Sequence, residues 1–157
     1  MVEVAVHHIY TLAVAWDVDR AFELVADVPL SAGHFPGLQQ LDDLGEGVYR
    51  WNMRSFEVSK VNYQVQYTAR YVSDPGPRTV VWNTVGADSN TRADGSWLVT
   101  ADGEGAQLRF ENRLVIRLAI PRLLARPAEK VVLTIMERQH ETYLTRIAER
   151  MGGRLLP

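Results

Sequence analysis

Residues 61–71 read Val-Asn-Tyr-Gln-Val-Gln-Tyr-Thr-Ala-Arg-Tyr. Val61, Tyr63, Val65, Tyr67, Ala69 and Tyr71 alternate with Asn62, Gln64, Gln66, Thr68 and Arg70, a period of two that predicts one continuous strand, apolar on one face and polar on the other. The neighbours repeat the pattern. Tyr49, Trp51 and Met53 oppose Arg50, Asn52 and Arg54, while Leu108, Phe110, Leu114, Ile116 and Leu118 oppose Arg109, Glu111, Arg113 and Arg117. From Leu38 to Leu118 such runs are separated by turn-rich stretches: Gly45-Glu46-Gly47, Asp74-Pro75-Gly76-Pro77, residues 87–95 and Asp102-Gly103-Glu104-Gly105. Strands greasy on one side only belong to an antiparallel sheet covered on one face.

Upstream, Val4, Val6, His8, Tyr10, Leu12 and Val14 alternate along a first strand. Asp17 is placed to cap a short helix bearing Val18, Ala21, Phe22, Leu24 and Val25, which Pro29 ends; a second helical turn should follow before the Pro36-Gly37 break. Downstream, Pro127 can occupy the first turn of a helix running to Met151, where Gly152-Gly153 stops it. Val131, Val132, Ile135, Met136, Tyr143 and Ile147 share one sector of that helix, opposite Lys130, Glu137, Arg138, Glu141 and Thr145. At 1.5 Å per residue its length is roughly 38 Å, enough to cover a bent sheet. The expected class is α+β: a bent seven-stranded antiparallel sheet wrapped around a long C-terminal helix, with two short helices after the first strand, in one domain spanning 1–157.

The chain has 157 residues, 46% apolar and 23% charged, which suits one core. Seventeen basic against nineteen acidic residues leave a net charge of −2, which argues against a nucleic-acid partner. Arg50, Arg54, Arg70, Arg109, Arg113 and Arg117 on the outer face are diluted by Glu57 and Glu111 and read as a solvated surface, with a protein- or ribosome-interaction module as a further alternative. The absence of cysteine excludes a disulfide framework and a thiolate nucleophile, and fits a reducing cytoplasm. The longest apolar stretches, residues 11–16 and 131–136, fall far short of the roughly 20 residues that cross a bilayer, so a soluble protein is expected.

The sequence carries almost no motif for catalysis. There is no G-x-S-x-G, no phosphate-cradling loop and no dinucleotide fingerprint. His140-Glu141 begins like a helical zinc motif, but Leu144 stands where the second histidine is needed. Residues 88–95 resemble a calcium loop only superficially, because Arg92 and Ala93 occupy positions that require an oxygen ligand and a glycine. His7 and His8 point to opposite faces of their strand. No metal and no cofactor is expected. What stands out is an aromatic inner face with a few polar groups in it, the composition of a pocket for a hydrophobic molecule. The candidate ligand-binding residues are Trp51, Tyr63, Tyr67, Trp82, Trp97, Phe110, Asn112, Gln139, His140 and Tyr143.

The order of strand, two short helices, strands and long helix resembles the helix-grip fold of the START-related superfamily. Three stretches carry the likeness: Ala15-Trp16-Asp17-Val18-Asp19-Arg20-Ala21-Phe22 at the strand-to-helix entry, His34-Phe35-Pro36-Gly37 before the second strand, and Gly95-Ser96-Trp97 before the Asp102–Gly105 hairpin. The resemblance implies an elongated apolar cavity that holds a lipid, sterol, quinone or polyketide. Non-catalytic binding or carriage is the first expectation. A polyketide aromatase/cyclase is the alternative, with His140, Asn112 and Tyr63 or Tyr67 assisting proton transfer.

Overall fold

The alternation of residues 105–118 becomes the longest strand of the protein in a computed structural model that describes residues 1–87 and 89–157. In chain order the elements are β1 (Val2–Val14), α1 (Val18–Ala26), α2 (Val28–Ala32), β2 (Leu38–Gly45), β3 (Val48–Met53), β4 (Phe56–Val58), β5 (Val61–Tyr63), β6 (Gln66–Asp74), β7 (Thr79–Thr84), β8 (Thr91–Asp102), β9 (Gly105–Leu118), a 3₁₀ turn (Arg122–Leu124), α3 (Ala125–Arg150) and β10 (Arg154–Leu155). One antiparallel sheet runs in the order β10-β1-β9-β8-β7-β6-β3-β2, and β4 pairs with β5 apart from it. β1 and β9 pair along their whole shared length, from Val2 opposite Leu118 to Val14 opposite Ala106.

The α+β expectation holds, with three differences of detail. The sheet has eight strands and not seven, because Arg154 and Leu155 add a short edge strand beside Ala13 and Leu12. Residues 61–71 are not one strand. Asn90 accepts the Gln66 N–H through Oδ1 at 3.0 Å and donates through Nδ2 to the Gln64 carbonyl at 2.7 Å, satisfying with a side chain the groups that a continuous ladder would use. Residues 61–63 therefore leave the sheet and fold back on β4 through Ser59 and Lys60, both at positive φ. Residues 91–95, read as part of a turn, instead begin β8. Gly95 serves packing there and not a turn: a Cβ would lie 2.3 Å from the Glu111 carbonyl oxygen and 2.5 Å from the Trp82 ring, so the glycine admits the indole against the strand.

Asp17 caps α1 as expected, its Oδ1 accepting the Arg20 N–H at 2.9 Å, and α2 has a cap of the same kind in Asp27, whose Oδ1 accepts the Leu30 N–H at 3.2 Å. They lie at one end of the covered face, α1 packing against β7, β8 and β9. α3 crosses that face from β1 and β10 to β4. Its buried stripe is Ala128, Val132, Met136, His140, Tyr143, Leu144, Ile147 and Ala148, so Val131, expected inside, stands at the exposed margin. Among the described residues no helix is long and apolar enough to cross a membrane.

Candidate functional site

Where the concave face of the sheet, α2 and the middle of α3 meet, large rings fail to fill the space between them. They leave a cavity of about 40 Å³ walled by Trp51 and Tyr67, Tyr71 and Trp82, Trp97 and Phe110, with Asn112, His140 and Tyr143 among them. Val25, Val28, Ser31 and Phe35 close it from the helical side. A second compartment of about 30 Å³ adjoins it, lined by Met53, Val65, Leu114, Met136 and Gln139 and sharing Phe35, Tyr67, Asn112 and His140 with the first. None of these residues is an aspartate, glutamate, lysine or arginine.

Eight of the ten sequence-derived candidates thus meet around the first compartment, and Gln139 lines the second. Tyr63 lines neither, because the break at residues 64–65 carries it off the sheet onto the small hairpin, where its hydroxyl is buried without a partner. Five wall residues escaped the reading. Val25 and Tyr71 lie on apolar faces legible in the sequence but outside the candidate set, Val28 and Ser31 belong to a helix too short for a readable face, and Phe35 lies just before the Pro36-Gly37 break.

The rings contact one another continuously. Trp51 stacks on Tyr67 with centroids 5.8 Å apart and Tyr71 on Trp82 at 5.6 Å, while Phe110 lies 4.9 Å from Trp97 and 5.7 Å from His140. Phe35, half-buried on the loop after α2, touches Trp51, His140 and Tyr143 at centroid distances of 6.1, 5.9 and 5.3 Å. It is the ring common to both compartments that no strand or helix holds.

The polar groups form a chain whose direction can be deduced. Trp82 Nε1 can only donate, so the atom facing it at 3.1 Å is the acceptor Asn112 Oδ1. Asn112 Nδ2 then donates to His140 Nε2 at 3.1 Å, which leaves the imidazole proton on Nδ1, donated to the Met136 carbonyl at 2.8 Å. His8 Nδ1 lies 3.3 Å from His140 Nδ1. Burial pushes His140 down to about 4, with the Met136 carbonyl opposing and His8 adding to the fall. Burial likewise lowers His8, against the pull of Glu137 and Glu141. Opposite them, the Ser31 and Tyr143 hydroxyls are 2.5 Å apart, and burial raises Tyr143 to about 12 although that hydrogen bond opposes it.

This arrangement limits the chemistry. His140 is neutral above about pH 5 and its one lone pair is already taken by Asn112, so it is poorly placed to carry a proton. Tyr67 and Tyr71 are driven upward by burial, Tyr67 and Tyr143 reinforcing Tyr71 and the Trp51 indole opposing it, so the phenols offer hydrogen bonds and not phenolate. Yet the Trp51 indole N–H makes no hydrogen bond of ordinary length and angle, and neither does Gln139 Oε1. Among the described residues no three His, Asp or Glu side chains converge as metal ligands. Asp88, which opens the stretch weighed as a calcium loop, lies outside the described residues, and Asp94 caps the Thr84 N–H at 3.1 Å while pairing with Arg92 at 2.9 Å.

On the outer face, His7 pairs with Glu111 at 2.6 Å, and Arg109 and Arg113 each reach the same carboxylate at 3.3 Å. The pair His7-His8 is therefore split between surface and interior.

The fold is shared with solved structures. The Zhui aromatase/cyclase from Streptomyces sp. R1128 superposes with a TM-score of 0.70 at 22% identity, over 94% of this chain and 93% of that one. A START superfamily protein from Mycobacterium smegmatis gives 0.65 at 13% identity, over 94% and 96%. The di-domain aromatase/cyclase of the steffimycin biosynthetic pathway gives 0.61 at 17% identity, over 95% of this chain and 51% of the other. No family model and no curated protein sequence matches the chain. The architecture is that of the START-related helix-grip proteins.

Proposed function

We propose that this chain is a single ligand-binding domain over 1–157 that binds or carries a small hydrophobic molecule between the sheet and α3, without catalysing its conversion. One observation carries the reading: the place where sheet and helices meet is walled by aromatic rings and a few hydrogen-bonding groups, with no charged side chain among them. The cysteine-free composition suits action in a reducing cytoplasm, and the outer arginines, two of them tied to Glu111 and a third paired with Glu3, give no reason to invoke a nucleic acid.

At about 40 and 30 Å³ the compartments hold a few waters each, whereas a dry cavity that binds benzene measures about 150 Å³. Binding therefore requires the compartments to merge. Phe35 is the ring to move, since it borders both and is half-buried on a loop. Its departure frees a benzyl group's worth of space.

A polyketide aromatase/cyclase is the second reading, favoured by the likeness in fold to two proteins of that description. Proton transfer by His140 would then first require Asn112 to release Nε2.

Titration with the neutral fluorophore N-phenyl-1-naphthylamine tests the proposal. Saturable uptake at one site per chain is expected, abolished by Val28→Trp, which fills the cavity, with folding checked by circular dichroism. A folded wild-type protein that takes up no neutral aromatic probe would contradict it.

A further inference from the structure

The two ends of the main sheet differ. β2, at one edge, breaks register after Leu38 and after Asp43 and carries Asp42 and Asp43, features that discourage a further strand from pairing there. At the other end β1 keeps unbroken register with β9, yet β10 covers it only at Leu12 and Ala13. The Leu156 N–H reaches the Thr11 carbonyl at 2.9 Å, so Thr11 turns its backbone groups outward, and by the alternation of an antiparallel ladder Glu3, Ala5, His7 and Ile9 do the same. Among the described residues nothing bonds the outward N–H and C=O of those four.

The open strip is complementary to itself. Along the convex face its side chains run Met1, Glu3, Ala5, His7, Ile9, with Met1 72% and Ile9 50% exposed. Reversed about Ala5, Met1 faces Ile9 and Glu3 faces His7. His7 spends Nε2 on Glu111 at 2.6 Å and keeps Nδ1 for a second acceptor, while Glu3 lies 3.6 Å from Arg117. Across such a seam basic and acidic groups alternate: Arg117, Glu3, His7, Glu111. The lane also limits the register. Continuing the Leu12–Leu155 pairing sets Pro157 opposite Tyr10, so a one-step shift toward β10 would drive Val2 into Pro157 and leave Glu3 opposite Ile9. On the concave side, Glu141 of α3 borders the same hollow as Ile9 and Tyr10, and its flank continues through Glu137, Leu133, Lys130 and Arg126. That flank is acidic in its second half and, Glu129 apart, basic in its first; among the described residues none of Arg126, Lys130, Glu137 and Glu141 has an ion pair of its own.

We infer that the free edge of β1 is a homodimer interface, on which a second copy of this chain docks antiparallel about a two-fold axis at Ala5 and joins the two sheets into one. The seam makes about six backbone hydrogen bonds, two for each of the pairs Glu3–His7, Ala5–Ala5 and His7–Glu3. The same axis passes the two α3 helices antiparallel, each basic half toward the other's acidic one. The inference is independent of what the cavity holds.

Sedimentation velocity of the full chain should show a concentration-dependent dimer. Ala5→Pro removes an outward N–H and leaves the β9 ladder intact, so it should weaken dimerisation by roughly thirtyfold, the worth of the two bonds at the axis, with an unchanged circular dichroism spectrum. The chain has no cysteine, so single cysteines report the register. With a two-carbon bis-maleimide, Ala5→Cys should link to itself across the axis. Glu3→Cys should not, because its two copies lie on the order of 13 Å apart along the strands, but it should link to His7→Cys when the two variants are mixed. A wild-type chain that stays monomeric at every attainable concentration overturns the inference. So does a dimer in which Ala5→Cys remains unlinked or Glu3→Cys links to itself. The crosslinks need only exposed positions, so they decide the question even where the proline variant does not fold.

Discussion

Acidification should unfold this protein through His140, and the size of the effect can be worked out. The imidazole is buried as a neutral acceptor, so its folded value of about 4 lies below the ordinary 6.5 of an unfolded chain. Between those limits the unfolded chain binds the proton and the native one does not. Stability is thus fully present above pH 6.5 and is lost as pH falls toward 4. At 1.36 kcal/mol per pH unit the gap is worth about 3 kcal/mol, or roughly 6–12 °C in Tm for a chain of this size. His8, also lowered by burial, acts with the same sign. The assay is urea denaturation at half-unit steps from pH 7.5 to 4, for the wild type and for His140→Gln, which keeps a polar side chain but cannot titrate. The wild type should lose about 3 kcal/mol more than the variant across that window. Equal slopes, or an NMR titration placing His140 at 6 or above, would refute the argument that its lone pair is buried and taken.

Further expectations follow from the same contacts. Asn112→Leu leaves Trp82 Nε1 and His140 Nε2 unpaired in the interior and should cost about 1–3 kcal/mol for each, whereas the added cost of Trp82→Phe in that background should be smaller than in the wild type, a non-additivity that denaturant titration of the cycle reads directly. Gly95→Ala drives a methyl to 2.3 Å from the Glu111 carbonyl, so the Trp82 edge of the cavity must move; a loss of more than about 2 kcal/mol and a changed near-ultraviolet circular dichroism spectrum are expected. Phe35→Ala should speed the uptake of N-phenyl-1-naphthylamine in stopped flow by at least tenfold, because the ring between the compartments is gone; an unchanged rate would place the entrance elsewhere.

The parts of the fold legible in the sequence are those where one face is buried for a long stretch. In β9 every second residue from Ala106 to Leu118 is buried, and a period of two over that length admits no other reading. Asn112 and His140 were legible for a related reason, since a polar residue at an apolar position of a strand and another at an apolar position of a helix face each other across the same layer. Local chemistry hid the rest. The β4–β5 hairpin turns on Ser59 and Lys60, positive-φ residues without the glycine or asparagine that usually marks such a turn, and the break that releases it is held by Asn90, more than twenty residues away. Gly95 looked like a turn because its actual role, admitting Trp82, depends on a neighbouring strand. Ser31 gave no sign of its place, because its partner Tyr143 lies 112 residues along the chain.

The space between the sheet and α3 is proposed as a seat for a small hydrophobic molecule and not merely a loosely filled core. Native mass spectrometry of the protein purified gently from its own cells tests it most directly, with denaturation and identification of whatever is released. The expected result is one small hydrophobic compound per chain, displaced by N-phenyl-1-naphthylamine. A bare chain mass in that preparation, unchanged after incubation with N-phenyl-1-naphthylamine, would contradict it.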